Sequence, residues 1–276
     1  MHLHIRNIVY RLNIMFFVLF LYCFLSYGQE KKVIEQWLNG RDEVMKEIAI
    51  KRIVKGEYKE LLPQAINMLE QWLGEKDIKI RKKALKYIGE GKFKEMIPAL
   101  AKILETEESS DKKIKKDDKE KEKEIEDLKI TVVTTLGEFK NNKEIISLLV
   151  SVLKKERYPI RIACIKSLGN IGSNDVESLN ILIDLLDEYN PGLVLEVLNS
   201  LEKIGDKRLQ FFLVDVVKGY KDMDVKKRAL DIISKIGNKK IIKELKDAIR
   251  VNKEDNEYKD IVPYIEKTID LLSKRE

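Results

Sequence analysis

The chain has 276 residues, with 53 Lys and Arg against 47 Asp and Glu, a net charge of +6, two histidines and two cysteines. Both histidines (His2, His4) and Cys23 fall in the first 28 residues, so residues 29–276 hold one thiol, Cys164, and no imidazole. That stretch therefore excludes an intramolecular disulfide, zinc sites of the usual Cys/His kinds, His-based triads and Cys–His nucleophiles.

In chain order, residues 1–28 read as an export signal. Arg6 and Arg11 give a basic start without acids, Ile14 to Leu25 is an unbroken apolar run, and Ser26 and Gly28 are small residues before a cleavage site ahead of Gln29. A run this short falls below the roughly 20 residues of a membrane span. An uncleaved anchor is the alternative. Bulky Tyr22 before Cys23 argues against a lipidation signal. Cleavage would remove two arginines and no acid, leaving 51 basic and 47 acidic residues and a charge of +4.

From there the chain repeats. Glu70–Leu104 laid over the sequence 35 residues earlier pairs Trp72 with Trp37, Asp77 with Asp42, Ala84 with Ala49, Ile88 with Ile53 and Pro98 with Pro63. The Ile88 slot recurs as Ile53, Leu136, Leu168, Leu201 and Ile233, in steps of 35, 48, 32, 33 and 32 residues. Apolar residues stand three, four and eight positions before each anchor, which is one face of a helix. The residue four before is small each time: Ala49, Ala84, Val132, Cys164, Val197 and Ala229. A small group there lets a neighbouring helix come close. Asp42, Asp77, Asn190 and Asp222 occupy N-cap positions. Gly89 and Gly91, Gly169 and Gly172, Gly205, and Gly237 mark turns after the anchors, and a second apolar segment follows, as in Leu179, Leu182 and Leu185 or Phe212, Val214 and Val217. Each unit is expected to be helix, turn, helix, with no strand signal.

The segments DIKIRKKALKYIG (77–89), PIRIACIKSLGNIG (159–172) and DVKKRALDIISKIG (224–237) resemble the HEAT family of helical repeats, and within it the short HEAT-like repeats of phycobilisome lyases. The family's arginine slot is filled by Arg81 and Arg161, by lysine in other units, and by no basic residue in the fifth, GLVLEVLNSLEKIG. The resemblance covers roughly residues 33–250. It implies an all-α superhelix, a HEAT-like solenoid of about six hairpins in one domain over 29–276, with the second helices lining a concave binding surface. It says little of activity, since such arrays serve scaffolds and enzymes alike. The family's di-iron hydroxylases use histidine–glutamate pairs, which residues 29–276 lack.

The 48-residue step marks a charged insertion within 107–123, expected as a flexible loop or a solvated extension of flanking helices. Cys164 is expected as a buried, inert thiol. Asp260 to Lys274, with Ile261, Ile265, Ile269 and Leu272 on one stripe, is expected as a capping helix at about 260–275. Trp37 and Trp72 share a slot; core packing explains them, and exposed anchors for a partner are the sharper alternative. Acids and bases are finely mixed, so no nucleic-acid partner is expected. No cofactor, metal site or catalytic residue stands out. The expected function is a non-catalytic, exported scaffold binding another protein in the periplasm or envelope. A lyase-like or other carboxylate-dependent enzyme, and an adaptor tethered to the membrane by a retained N-terminus, are the alternatives.

Overall fold

The structure is a computed structural model, and it describes residues 26–106, 119–140, 142–172 and 176–275. The described residues are helical throughout, without a strand. Most of the expected signal (1–25) and most of the insertion (107–118) lie outside them.

The chain divides at Phe93/Lys94 into two compact units. The first holds α1 (residues 26–39), α2 (Glu43–Val54), α3 (Leu62–Leu73) and α4 (Ile78–Gly91). The second holds α5 (Ile97–Thr106), α6 (Lys119–Leu136), α7 (Lys143–Lys155), α8 (Tyr158–Ile171), α9 (Val176–Asp184), α10 (Pro191–Ile204), α11 (Leu209–Gly219), α12 (Met223–Ile236), α13 (Ile242–Glu254) and α14 (Val262–Ser273). Within each unit the helices pack neighbour to neighbour as hairpins, which makes the fold an all-α solenoid.

The anchors and the residues three and four before them are buried in all six repeats. The residue eight before is buried in α6, α8, α10 and α12 but only half-buried in α2 and α4, as Met45 and Ile80. The cap residues act as their chemistry dictates. Asp42 accepts from the amides of Val44 and Met45, Asp77 from Lys79, Asn190 from Leu193, and Asp222 from Asp224 and Val225. Asn142 does the same for α7, accepting from Glu144 and Ile145. Residues 119–123 continue α6 outward as a charged first turn.

The glycine reading needs a correction. Gly205 does cap α10 in the left-handed region, with φ of 67°. Gly89 and Gly169, however, lie inside α4 and α8. A Cβ on Gly169 would stand 2.6 Å from Ser200 Cβ, so this glycine permits contact between α8 and α10 rather than a turn. Gly137 relates to Ser167 of α8 in the same way, at 2.9 Å. The serine hydroxyls complete both contacts: Ser167 donates to the Val133 carbonyl at 2.9 Å and Ser200 to the Ile165 carbonyl at 3.1 Å, both buried.

α14 covers α12 and α13, as expected of a cap. It buries Ile261, Val262, Ile265, Thr268 and Leu272, whereas Ile269 is only half-buried. Thr268 is tolerated inside because its hydroxyl donates to the Tyr264 carbonyl at 2.9 Å. The described part of α1 runs from residue 26 past Gly28 and stacks Tyr27 on Tyr58 with ring centroids 5.0 Å apart.

Candidate protein-binding groove

One slot of the repeat decides where the second unit opens. Seven residues before each anchor stands the family's basic position, which points from the first helix toward the far end of the second. Lys129 of α6 donates to Glu156 Oε1, just past α7, at 2.6 Å, and is 1% exposed. Arg161 of α8 donates to Glu188 Oε1, just past α9, at 2.5 Å. In each case a charge-assisted bond ties the hairpin's open end shut. In the fifth repeat the slot holds buried Val194, and the acid's place is taken by exposed Lys221. No tie can form. In the sixth, Lys226 is again 1% exposed, but its partner is the neutral amide of Asn252, whose Oδ1 accepts at 2.5 Å. Its ammonium also lies over the Tyr258 ring, 4.3 Å from the centroid. Burial lowers its pKa, while the charge of Asp255 works the other way.

Where the carboxylate partners are missing, a groove of about 1320 Å³ lies along the ends of the second helices α9, α11 and α13. Lys226, Asn252 and Tyr258 form part of its wall, with Tyr220, whose hydroxyl donates to the Glu188 carbonyl at 2.9 Å. Burial raises the Tyr220 phenol pKa. Asn252 is held by its own amide, which donates to the carbonyls of Ala248 at 2.8 Å and Val217 at 3.3 Å. At the rim, Tyr189 is 99% exposed and Phe212 43%. Phe212 was expected inside with Val214 and Val217. Those two are buried with Leu213 and Val216, and Phe212 turns to the groove instead. A concave cleft in which aromatic side chains stand beside fixed polar groups is a common form of binding site.

Six carboxylates line the groove (Asp184, Asp187, Glu188, Asp215, Asp222, Asp255) against three lysines (Lys218, Lys221, Lys226). Glu188 is committed to Arg161 and Asp222 to the cap of α12, and Lys226 is turned into the wall. Of the rest, Asp184, Asp187 and Asp215 are exposed, as is Asp255, which has an interaction of its own, against exposed Lys221 and half-exposed Lys218.

The tryptophans lie elsewhere. Trp72 is 5% exposed within the core of the first unit, too buried to offer a partner any surface; Trp37 is half-buried in α1. Cys164 is fully buried, and burial pushes its thiol pKa up to about 12. Among the described residues no group of three or more His, Cys, Asp and Glu is placed to hold a metal ion. Glu47, Glu202 and Asp206 have pKa values lowered by hydrogen bonds from Lys83, Lys235 and Arg208, which suits an ion pair rather than a proton donor. No described helix is long and apolar enough to cross a membrane.

Residues 121–202, from α6 through most of α10, match the family model of HEAT repeats. With the helical hairpins, this supports a HEAT-like repeat protein, of a kind that commonly binds other proteins. No curated protein matches the chain.

Proposed function

We propose that the protein is a non-catalytic scaffold, exported to the periplasm or envelope, that holds another protein in the groove along α9, α11 and α13. The observation that carries this reading is Tyr189. A tyrosine ring almost wholly in water at the mouth of a cleft is the kind of rigid, amphipathic side chain that anchors protein interfaces. The export signal read in residues 1–28 supports the location. The test is affinity capture from envelope fractions with the natural chain and with a Tyr189→Ala/Phe212→Ala variant. A partner recovered by the first and lost with the second is expected; a partner retained equally by both contradicts the reading.

The tethered form is favoured by one observation. Tyr27, which cleavage before Gln29 would remove, stacks on Tyr58 and donates to Glu60 Oε1 at 3.3 Å. N-terminal sequencing of the protein from cells separates the two: a start at Gln29 supports release, and a start at Met1 supports the anchor.

A further inference from the structure

We infer that a cavity in the first unit is a binding site for a small carboxylate, received by Lys46 and a set of side-chain amides. The site stands apart from the groove and does not depend on the scaffold reading. The cavity, of about 250 Å³, lies between the end of α1, the start of α2 and α3. Asn39, Gln64, Asn67 and Gln71 line it with Lys46, which carries the one charge among the described residues of its wall. Lys46 fills the basic slot, seven residues before Ile53. The second unit shows what that slot takes. Lys129 and Arg161 each donate to a carboxylate on the residue that closes the hairpin's second arm, Glu156 and Glu188. The residue that closes α3 is Gly74, which has no side chain, and before it stands buried Leu73. Neither supplies an acid, and the cavity lies where Lys46 shares a wall with Asn67 and Gln71.

Lys46 already has one partner, Glu43 of its own helix, whose Oε1 accepts at 2.7 Å. The Glu43 side chain is 55% exposed and that of Lys46 only 17%. An exposed pair within one helix is weak, and an ammonium has three donors, so a second carboxylate can be taken on the cavity side. The amides fit the same ligand. Gln71 donates to Asn67 Oδ1 at 3.5 Å, Gln64 to Glu35 Oε1 at 3.2 Å and Asn39 to the Glu35 carbonyl at 3.0 Å. Each primary amide has two N–H groups, so a second one is left on each of the three to meet a carboxylate oxygen. The cavity is smaller than the roughly 300–1,000 Å³ of drug-sized sites. Its ligand is therefore a small free acid or a single acidic side chain.

The test is isothermal titration calorimetry of the purified protein with glutaramate, which has a carboxylate at one end and an amide at the other, and with the blocked peptide acetyl-Gly-Glu-Gly-amide. Glutaramide and the corresponding glutamine peptide are the uncharged controls. Binding of glutaramate assigns a free acid and binding of the peptide alone assigns an acidic side chain; either supports the site. Lys46→Met should weaken binding about tenfold. Gly74→Glu places an acid at the end of α3, as Glu156 stands at the end of α7, and should also weaken binding about tenfold by competing for Lys46. Gly74 has a φ of −82°, and a Cβ there comes no nearer than 3.4 Å to the Gln71 carbonyl oxygen, so the substitution is accommodated. A melting temperature no lower than that of the natural chain confirms the fold of each variant. Failure of both acids to bind, equal binding of the uncharged controls, or undiminished binding in a folded variant overturns the inference.

Discussion

The run α6–α10 and the run α10–α13 are built on one repeat, yet they are joined by different chemistry. In the first, buried glycine–serine contacts bring α6, α8 and α10 together, and ion pairs close the hairpin ends, buried at Lys129–Glu156 and half-exposed at Arg161–Glu188. In the second, the glycine and serine slots hold Glu202 and Ile232, the fifth hairpin end has no such tie, and the sixth is held by Lys226 on the neutral amide of Asn252. Glu202 pairs instead with Arg228 and Lys235 of α12 at the half-exposed surface. The HEAT match at 121–202 falls on the first run; the groove extends beyond it. The difference teaches that burying the anchors is enough to keep hairpins stacked. The ion-pair ties are separable from the fold, and the groove lies where they are missing.

The sharpest way to break this comparison is to make the same change in both runs. Lys129→Met strands the Glu156 carboxylate in a mostly buried setting and should cost about 3 kcal/mol. Lys226→Met strands only an amide oxygen and relieves a desolvated ammonium, so about 1 kcal/mol or less is expected. Urea unfolding of the two variants gives both numbers, and equal losses would erase the distinction. Gly169→Ala forces a Cβ onto Ser200 and should cost about 2 kcal/mol by the same measurement. Ser200→Ala leaves the space intact, removes one hydrogen bond, and should cost about 1 kcal/mol.

Asn252→Asp sharpens the point from the other side. It offers Lys226 the carboxylate that Lys129 enjoys. It also replaces a donor with an oxygen facing the Val217 and Ala248 carbonyls. No net gain is expected, and a loss of about 1 kcal/mol fits the cost of those two contacts. A clear rise in melting temperature would mean that the slot wants charge after all.

The smallest effect is one of pH. The Lys226 pKa in the folded chain lies below the ordinary lysine value of 10.5. As pH rises between the two values, the unfolded chain binds more protons than the folded one, so stability climbs over that window. Denaturant midpoints measured at increasing alkalinity should show this slope in the natural chain and less of it in Lys226→Met. Tyr58 and Tyr87, pushed up to about 12, act in the opposite sense above pH 10 in both proteins and cancel in the difference.

The sequence carried the fold well because its signals were periodic. Anchors, small residues and caps recur at fixed offsets, and each does in the structure what its spacing implies. Gly169 misled because glycine serves two purposes, a turn and a close approach, and only the position of Ser200 in space tells them apart. The groove was harder. Trp37 and Trp72 drew notice by repeating, yet a repeated aromatic is what a core requires, and Trp72 is there. Tyr189 does not repeat, and Phe212 belongs to an apolar segment whose spacing does not say which member faces out. One sign was legible: the fifth repeat lacks its basic residue. Its consequence, an untied hairpin end beside Lys221, appears only once the far end of α11 is seen to be its counterpart.

The most direct measurement is photo-crosslinking in living cells from a reactive amino acid placed at Tyr189, with a second placed at exposed Val44 in the first unit. A discrete adduct from position 189, absent from position 44 and mapped by mass spectrometry to one protein, is the expected result. An adduct from position 44 alone, or none from 189 while the protein is folded and abundant, would contradict the account.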